Sequence, residues 1–194
     1  MNINIPVDSK IKIEKLYGNN VIVIPYENNS ILKYLIGIFI LFWLGGWFMG
    51  FLSAINQIML GKAETFLFFW LGGWTIGGIF AGYMIFRIFR KTVPEQIFLN
   101  YPSLTFDSGI PPLKFSFNIL NQKENYRTLF FKRKQIEFNE LDIKSILLRE
   151  TSNGNRLTLD KGKERIELAY DATEIEREWL YNYLLKFYRL KELQ

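Results

Sequence analysis

Tyr34–Ile55 reads YLIGIFILFWLGGWFMGFLSAI, and Phe66–Phe86 reads FLFFWLGGWTIGGIFAGYMIF. The two stretches are 22 and 21 residues long and contain no Asp, Glu, Lys or Arg. A helix needs ~20 apolar residues to cross a bilayer, and uncharged runs of ~18 or more argue for such a helix. Covering two helices of this kind on all sides in a soluble core would take a much larger protein than 194 residues. The pair therefore predicts two membrane spans. Neither reads as a cleavable signal peptide, whose apolar region is only ~7–15 residues, so both are expected in the mature chain.

Charge around these stretches gives an orientation. Asn56–Thr65, NQIMLGKAET, holds one basic and one acidic residue. Lys33 precedes the first stretch, and Arg87, Arg90 and Lys91 follow the second. The positive-inside rule then places both termini in the cytoplasm and the short turn outside. The expected organisation is an N-terminal β-hairpin region over 1–33, spans over 34–55 and 66–91 (basic flank included) joined by an outer turn over 56–65, and a cytoplasmic domain over 92–194. Net charge is +5. Residues 1–91 hold 8 basic and 4 acidic residues, against 16 and 15 in the rest. Excess charge beside apolar stretches is a topology signal and does not suggest nucleic-acid binding.

Within the spans, FWLGGW at 42–47 recurs at 69–74, an offset of 27. Small residues follow at four-residue spacing: Gly46, Gly50 and Ala54, then Gly73, Gly77 and Ala81, with Gly78 and Gly82 as a further pair. Burying apolar area in lipid gives little drive, so such glycine-zipper spacing matters because it lets helix backbones approach. The favoured expectation is that the two grooves pack on each other. Gly78 and Gly82 are left as an outer face for another membrane protein or a homodimer.

The flanks read as β-structure. Lys10–Glu14 alternates with period two, Gly18-Asn19-Asn20 marks a turn, and Val21–Ile24 is an apolar strand stopped by Pro25. Two strands are marginal alone and need a larger sheet. Further strands are predicted at 96–101, 104–106, 115–120, 135–138, 145–149, 156–160 and 165–169. Thr173 with Glu176 is a capping-box pattern opening a helix over 173–191. Its expected core stripe is Ile175, Trp179, Tyr183 and Phe187, with Leu180 and Leu184 beside it. Glu174, Glu178 and Lys186 suit the wet side.

GNRLTLDKGKERIEL at 154–168 and TEIEREWLYNYL at 173–184, in the order strands, two spans, strands, helix, resemble bacterial membrane proteins that carry a pleckstrin-homology-like (PH-like) domain interrupted or preceded by a transmembrane pair. With the doubled FWLGGW, the whole chain is similar to uncharacterised cyanobacterial membrane proteins. The resemblance implies an α+β membrane protein: a two-helix transmembrane hairpin set in or before a PH-like antiparallel β-sandwich or barrel that ends in an amphipathic helix. It implies a plasma or thylakoid-type membrane and carries no catalytic motif.

Composition narrows the chemistry. The chain has no Cys and no His, which removes thiolate nucleophiles, disulfides, Cys/His metal sites and any His base. No P-loop or dinucleotide fingerprint occurs. Glu137, Glu140 and Asp142 form no recognisable metal or glycosidase pair and read as a solvated face. No enzyme activity, cofactor or metal is expected. Gly109-Ile110-Pro111-Pro112-Leu113 reads as a stiff linker. The richest polar stretch is NQKENYRTLFFKRK at 121–134, where Lys123, Arg127, Lys132, Arg133 and Lys134 surround an apolar wedge that includes Phe130 and Phe131. Such a loop can touch an anionic bilayer or a partner protein, or it can simply be solvated. Two functions stay open: an accessory or assembly factor of a larger membrane complex, and a sensor of anionic lipid head groups.

Overall fold

The computed structural model describes residues 4–16, 18–26, 31–113, 128–152 and 154–190. The architecture is mixed α+β and divides into two compact units. One comprises residues 1–27, 92–111 and 131–194; the other comprises 28–91 and 112–130.

The first unit is built from both flanks of the apolar stretches. Strands β1 (Lys12–Leu16) and β2 (Asn19–Ile24) form a hairpin whose register, Leu16 opposite Asn19, leaves a two-residue loop. Gly18 in that loop has φ +87°, a left-handed conformation that glycine adopts without steric cost. Asn19 and Asn20, expected in the turn, are therefore strand residues, and β1 starts and ends two residues later than expected. Then β2 pairs antiparallel with β3 (Glu95–Asn100), Val21 opposite Phe98. Strands separated by the two apolar stretches thus share one sheet. β3 turns through Tyr101-Pro102, joined by a cis peptide, into β4 (Ser103–Asp107), which pairs with β5 (Gln135–Phe138).

A one-turn helix, α3, spans Glu140–Ile143 and was not expected from the sequence. It forms because Asn139 and Asp142 make a reciprocal capping box, Asp142 N–H donating to Asn139 Oδ1 at 2.9 Å. A second sheet follows, β6 (Leu147–Thr151), β7 (Gly154–Lys161) and β8 (Glu164–Leu168), in the order β6-β7-β8. Among the described residues the two sheets are not closed into a barrel. The expected strand at 115–120 lies outside the described residues.

The terminal helix, α4, runs Glu174–Phe187 and has the predicted capping box: Thr173 N–H donates to Glu176 Oε2 at 2.8 Å, and Glu176 N–H donates to Thr173 Oγ1 at 3.2 Å. It is shorter than expected. Arg189 has φ +55°, the left-handed conformation that commonly follows a helix end. The buried face is Trp179, Leu180, Leu184 and Leu185, whereas Ile175 is 68% exposed. The stripe is rotated toward the next ridge because the leucines are what meet Ile97, Leu104, Phe138 and Leu157 in the core.

The second unit holds two long helices, α1 (Ile31–Met59) and α2 (Thr65–Phe89). At 1.5 Å per residue they are about 44 and 37 Å long, more than the ~30 Å hydrocarbon thickness. Both are long and apolar enough to cross a membrane. Only 6% of the most apolar window of each is buried, unlike the mostly buried core helix of a soluble protein. The helices consume Asn56–Met59 and Thr65, so the connecting turn shrinks to 60–64, with Gly61 at φ +68°.

Candidate functional site

The two copies of FWLGGW meet through their last residues. Trp47 Nε1–H donates to the Trp74 carbonyl at 2.9 Å, and Trp74 Nε1–H donates to the Trp47 carbonyl at 3.3 Å. The rings stack at 6.5 Å between centroids, 12° from parallel. The helices run antiparallel, so the two copies point in opposite directions and come together at Trp47 and Trp74. An indole N–H in an apolar surround has to find an acceptor. Each tryptophan here uses the other's backbone. Trp43 and Trp70 add ring contacts to Trp74 at 6.4 and 4.4 Å.

This pairing decides which glycines matter. A Cβ on Gly78 would collide with the Trp47 ring, and one on Gly50 would touch Trp74 at 3.5 Å. Ala54 and Gly78 are buried. Gly46, Gly73, Gly77 and Gly82 have nothing near the position of a Cβ. The expected groove-on-groove packing of Gly46 and Gly73 is therefore replaced by indole-into-notch packing. Gly78, expected on the outer face, is the tightest internal contact. Ala81 is half-buried.

At the other end of this unit, Leu113, Ile88 and Leu129 form a small apolar cluster with Ile36, Ile40, Tyr83 and Met84 against it. Arg87, read from sequence as a topology charge, is buried: Nε donates to the Leu129 carbonyl at 3.0 Å and Nη2 to the Thr128 carbonyl. Tyr83 Oη–H also donates to the Leu129 carbonyl, at 2.8 Å. The Phe130 ring stacks on Tyr83 at 6.0 Å and is 62% exposed. The wedge is thus seated on α2 through Leu129, with Phe130 as its exposed part.

The basic residues after it belong to the first unit. Arg133 forms a two-pronged ion pair with buried Asp107, Nε to Oδ1 at 2.8 Å and Nη2 to Oδ2 at 2.5 Å. Burial raises the Asp107 pKa, but the Arg133 and Gly109 N–H bonds outweigh it and hold the carboxyl below its ordinary value. Lys134 Nζ lies 2.9 Å from Glu164 Oε1. Lys132 is exposed and Phe131 half-buried. Lys123 and Arg127 lie outside the described residues. Of the three consecutive basic residues, two are held by carboxylates of the same unit. The linker is also pinned: Ile110 and Val93 exchange backbone bonds at 2.8 and 3.1 Å, and Gly109 (φ +57°) leaves no room for a Cβ against the Val93 and Pro94 carbonyls.

Two carboxyl roles escaped the sequence reading, the long-range bonds of Glu176 and the burial of Glu95. Glu176 accepts from Ser9 Oγ–H at 2.7 Å and Lys10 N–H at 3.2 Å in addition to its cap, tying residues 9–10 to the start of α4. Burial raises its pKa, but these bonds more than offset it and the net shift is downward. Glu95 sits on the core face of β3 with Ile97 and Leu99, because the strand buries every second residue. Its carboxyl accepts from the Ala169 and Tyr170 N–H groups. A period-two count begun at Glu95, one residue before the predicted strand, would have found it.

Lys12 and Glu14 line, with Tyr26 and Thr92 among others, a shallow depression of about 230 Å³. That is below the ~300–1,000 Å³ usual for small-molecule sites. Compared with known protein families, curated proteins and solved structures, the chain matches none.

Proposed function

We propose that this chain is a non-enzymatic membrane-anchored interaction module, an accessory or assembly factor of a larger membrane protein complex. In this reading the helix pair is a membrane hairpin inserted in a PH-like domain, in line with the resemblance to bacterial membrane proteins of that layout. The observation that carries it is the pairing of β2 with β3. A hairpin inserted between two neighbouring strands returns the chain to the face it left, so both flanks share one compartment. Lys33, Arg87, Arg90 and Lys91 beside the helix ends nearest these flanks support reading that face as cytoplasmic.

The partner contact is assigned to the glycines that the hairpin does not use itself, Gly46, Gly73, Gly77 and Gly82, whose Cβ positions are open. Small residues allow close helix approach in lipid, and tethering lets weak cytoplasmic contacts act intramolecularly. Absence of Cys and His supports a binding role over catalysis. The alternative, a sensor of anionic lipid head groups, is disfavoured because Arg133 and Lys134 are already paired.

Purification of the full chain from its native membrane in mild detergent, after crosslinking, tests the proposal. The expected result is recovery within a larger membrane complex, reduced about ten-fold in Gly73→Leu and Gly77→Leu, a loss near 1.4 kcal/mol. Recovery always alone, at monomer mass, would overturn it.

A further inference from the structure

We propose that a second copy of this chain adds to the outer edge of β1, by two-fold antiparallel pairing centred on Ile13. β1 ends the five-stranded sheet, and no described strand pairs with its outer side. All five of its residues are exposed, Ile13 at 37% and Leu16 at 43%. Unpaired edges are templates for another strand unless charge or geometry forbids it.

Backbone parity selects the residues that face outward. Leu16 and Asn19 close a two-residue loop, so Leu16, Glu14 and Lys12 exchange backbone bonds with β2. The amides and carbonyls of Ile13 and Lys15 then point to the open side. A two-fold ladder through that side can be centred on any residue of the strand; centring on Lys12 or Glu14 sets a like charge against its own copy, and centring on Leu16 overlaps the strands only at their ends. Centring on Lys15 sets Lys15 against its own copy. Centring on Ile13 sets isoleucine against isoleucine, with Lys12 opposite Glu14 of the second copy and Glu14 opposite its Lys12. Those charge pairs fall at positions without backbone bonds, where Cα atoms are ~4.5 Å apart and side chains come closest. The strand KIEKL is thus complementary to itself in one register, which argues for a second copy over an unrelated strand.

This strand and the glycines belong to different units, and the test uses the purified full chain with no other protein present. Failure here leaves the proposed function standing. Since the chain has no Cys, single cysteines report cleanly. Ile13→Cys is expected to give a disulfide-linked dimer on mild oxidation, because directly bonded pairs have Cα atoms ~5.5 Å apart, within disulfide range. Lys15→Cys, on the same face, lies about 13 Å from its copy in this register and is expected to stay monomeric. Adding Glu14→Lys to Ile13→Cys should cut the crosslinked fraction about five-fold, and adding Lys12→Glu as well should restore it. Equal crosslinking at 13 and 15, no crosslinking at 13, or no rescue by the double reversal would each overturn the proposal.

Discussion

Gly78→Leu is expected to pry the two long helices apart, while Gly77→Leu, one residue earlier, leaves them together. Four-residue spacing to Ala81 or Gly82 gives both residues the look of packing glycines, but neighbouring positions on a helix point about 100° apart. Gly78 lies under the Trp47 ring, and Gly77 faces open space. A leucine at 78 displaces the indole and with it the Trp47–Trp74 carbonyl bonds. Overpacking costs ~1–3 kcal/mol, and losing interhelical bonds in lipid adds about 1 kcal/mol, so the total is roughly 2–4 kcal/mol. Four of the five tryptophans lie in these helices, so titration of the detergent-solubilised chain with a denaturing detergent, followed by tryptophan fluorescence, reads the effect. Equal sensitivity of both variants would contradict the indole-in-notch packing.

The second large effect is a dependence on pH centred on Glu95. Burial pushes its carboxyl up, the Ala169 and Tyr170 N–H groups pull it down, and Asp171 and Glu167 add to the rise, leaving it at about 8. The folded pKa is above the unfolded one. Stability from this group is therefore complete below about pH 4.3 and declines as pH rises, levelling off above about 8. The slope is at most about 1.4 kcal/mol per pH unit, with a ceiling of about 5 kcal/mol. Urea unfolding of the full chain in mild detergent, followed at the β-sheet circular dichroism band, should show lower stability at pH 8 than at pH 5. Glu95→Gln should flatten that slope while staying near wild type at pH 5. Glu176, with its lowered pKa, acts in the opposite sense and only in acid, below about pH 4.3, so the two effects separate. A wild-type curve that is flat or rising between pH 5 and 8 would contradict the buried carboxyl.

Which of these features could be read beforehand follows from how local each one is. The long helices, the strand at 135–138 and the Thr173–Glu176 cap depend on length, alternation or a three-residue spacing. All are visible in a short window. That the two strands before the helices join a larger sheet was expected, because two strands are marginal alone; that β2 meets β3 was not. The side of a helix that packs is a different kind of fact. Ile175 and Leu185 are both apolar, and only the shape of the core decides that Leu185 is inside. Likewise four-residue spacing marks eight small positions without saying which notch receives an indole. Arg87 reads as a flank charge until the Thr128 and Leu129 carbonyls are brought to it from forty residues away. Arg133 and Lys134 read as a free basic patch until Asp107 and Glu164 arrive by sheet pairing. Long-range polar partners leave no periodic trace.

The central claim is that the residues before and after the helix pair build one domain on one face of a bilayer, with the turn on the other. Single cysteines at Lys12, Lys62 and Lys163 in this cysteine-free chain, labelled in sealed membrane vesicles of one orientation by a membrane-impermeant maleimide, test it directly. The account predicts that positions 12 and 163 react from the same face and position 62 from the opposite one. Labelling of 12 and 163 from opposite faces, or of all three from one face, would contradict it.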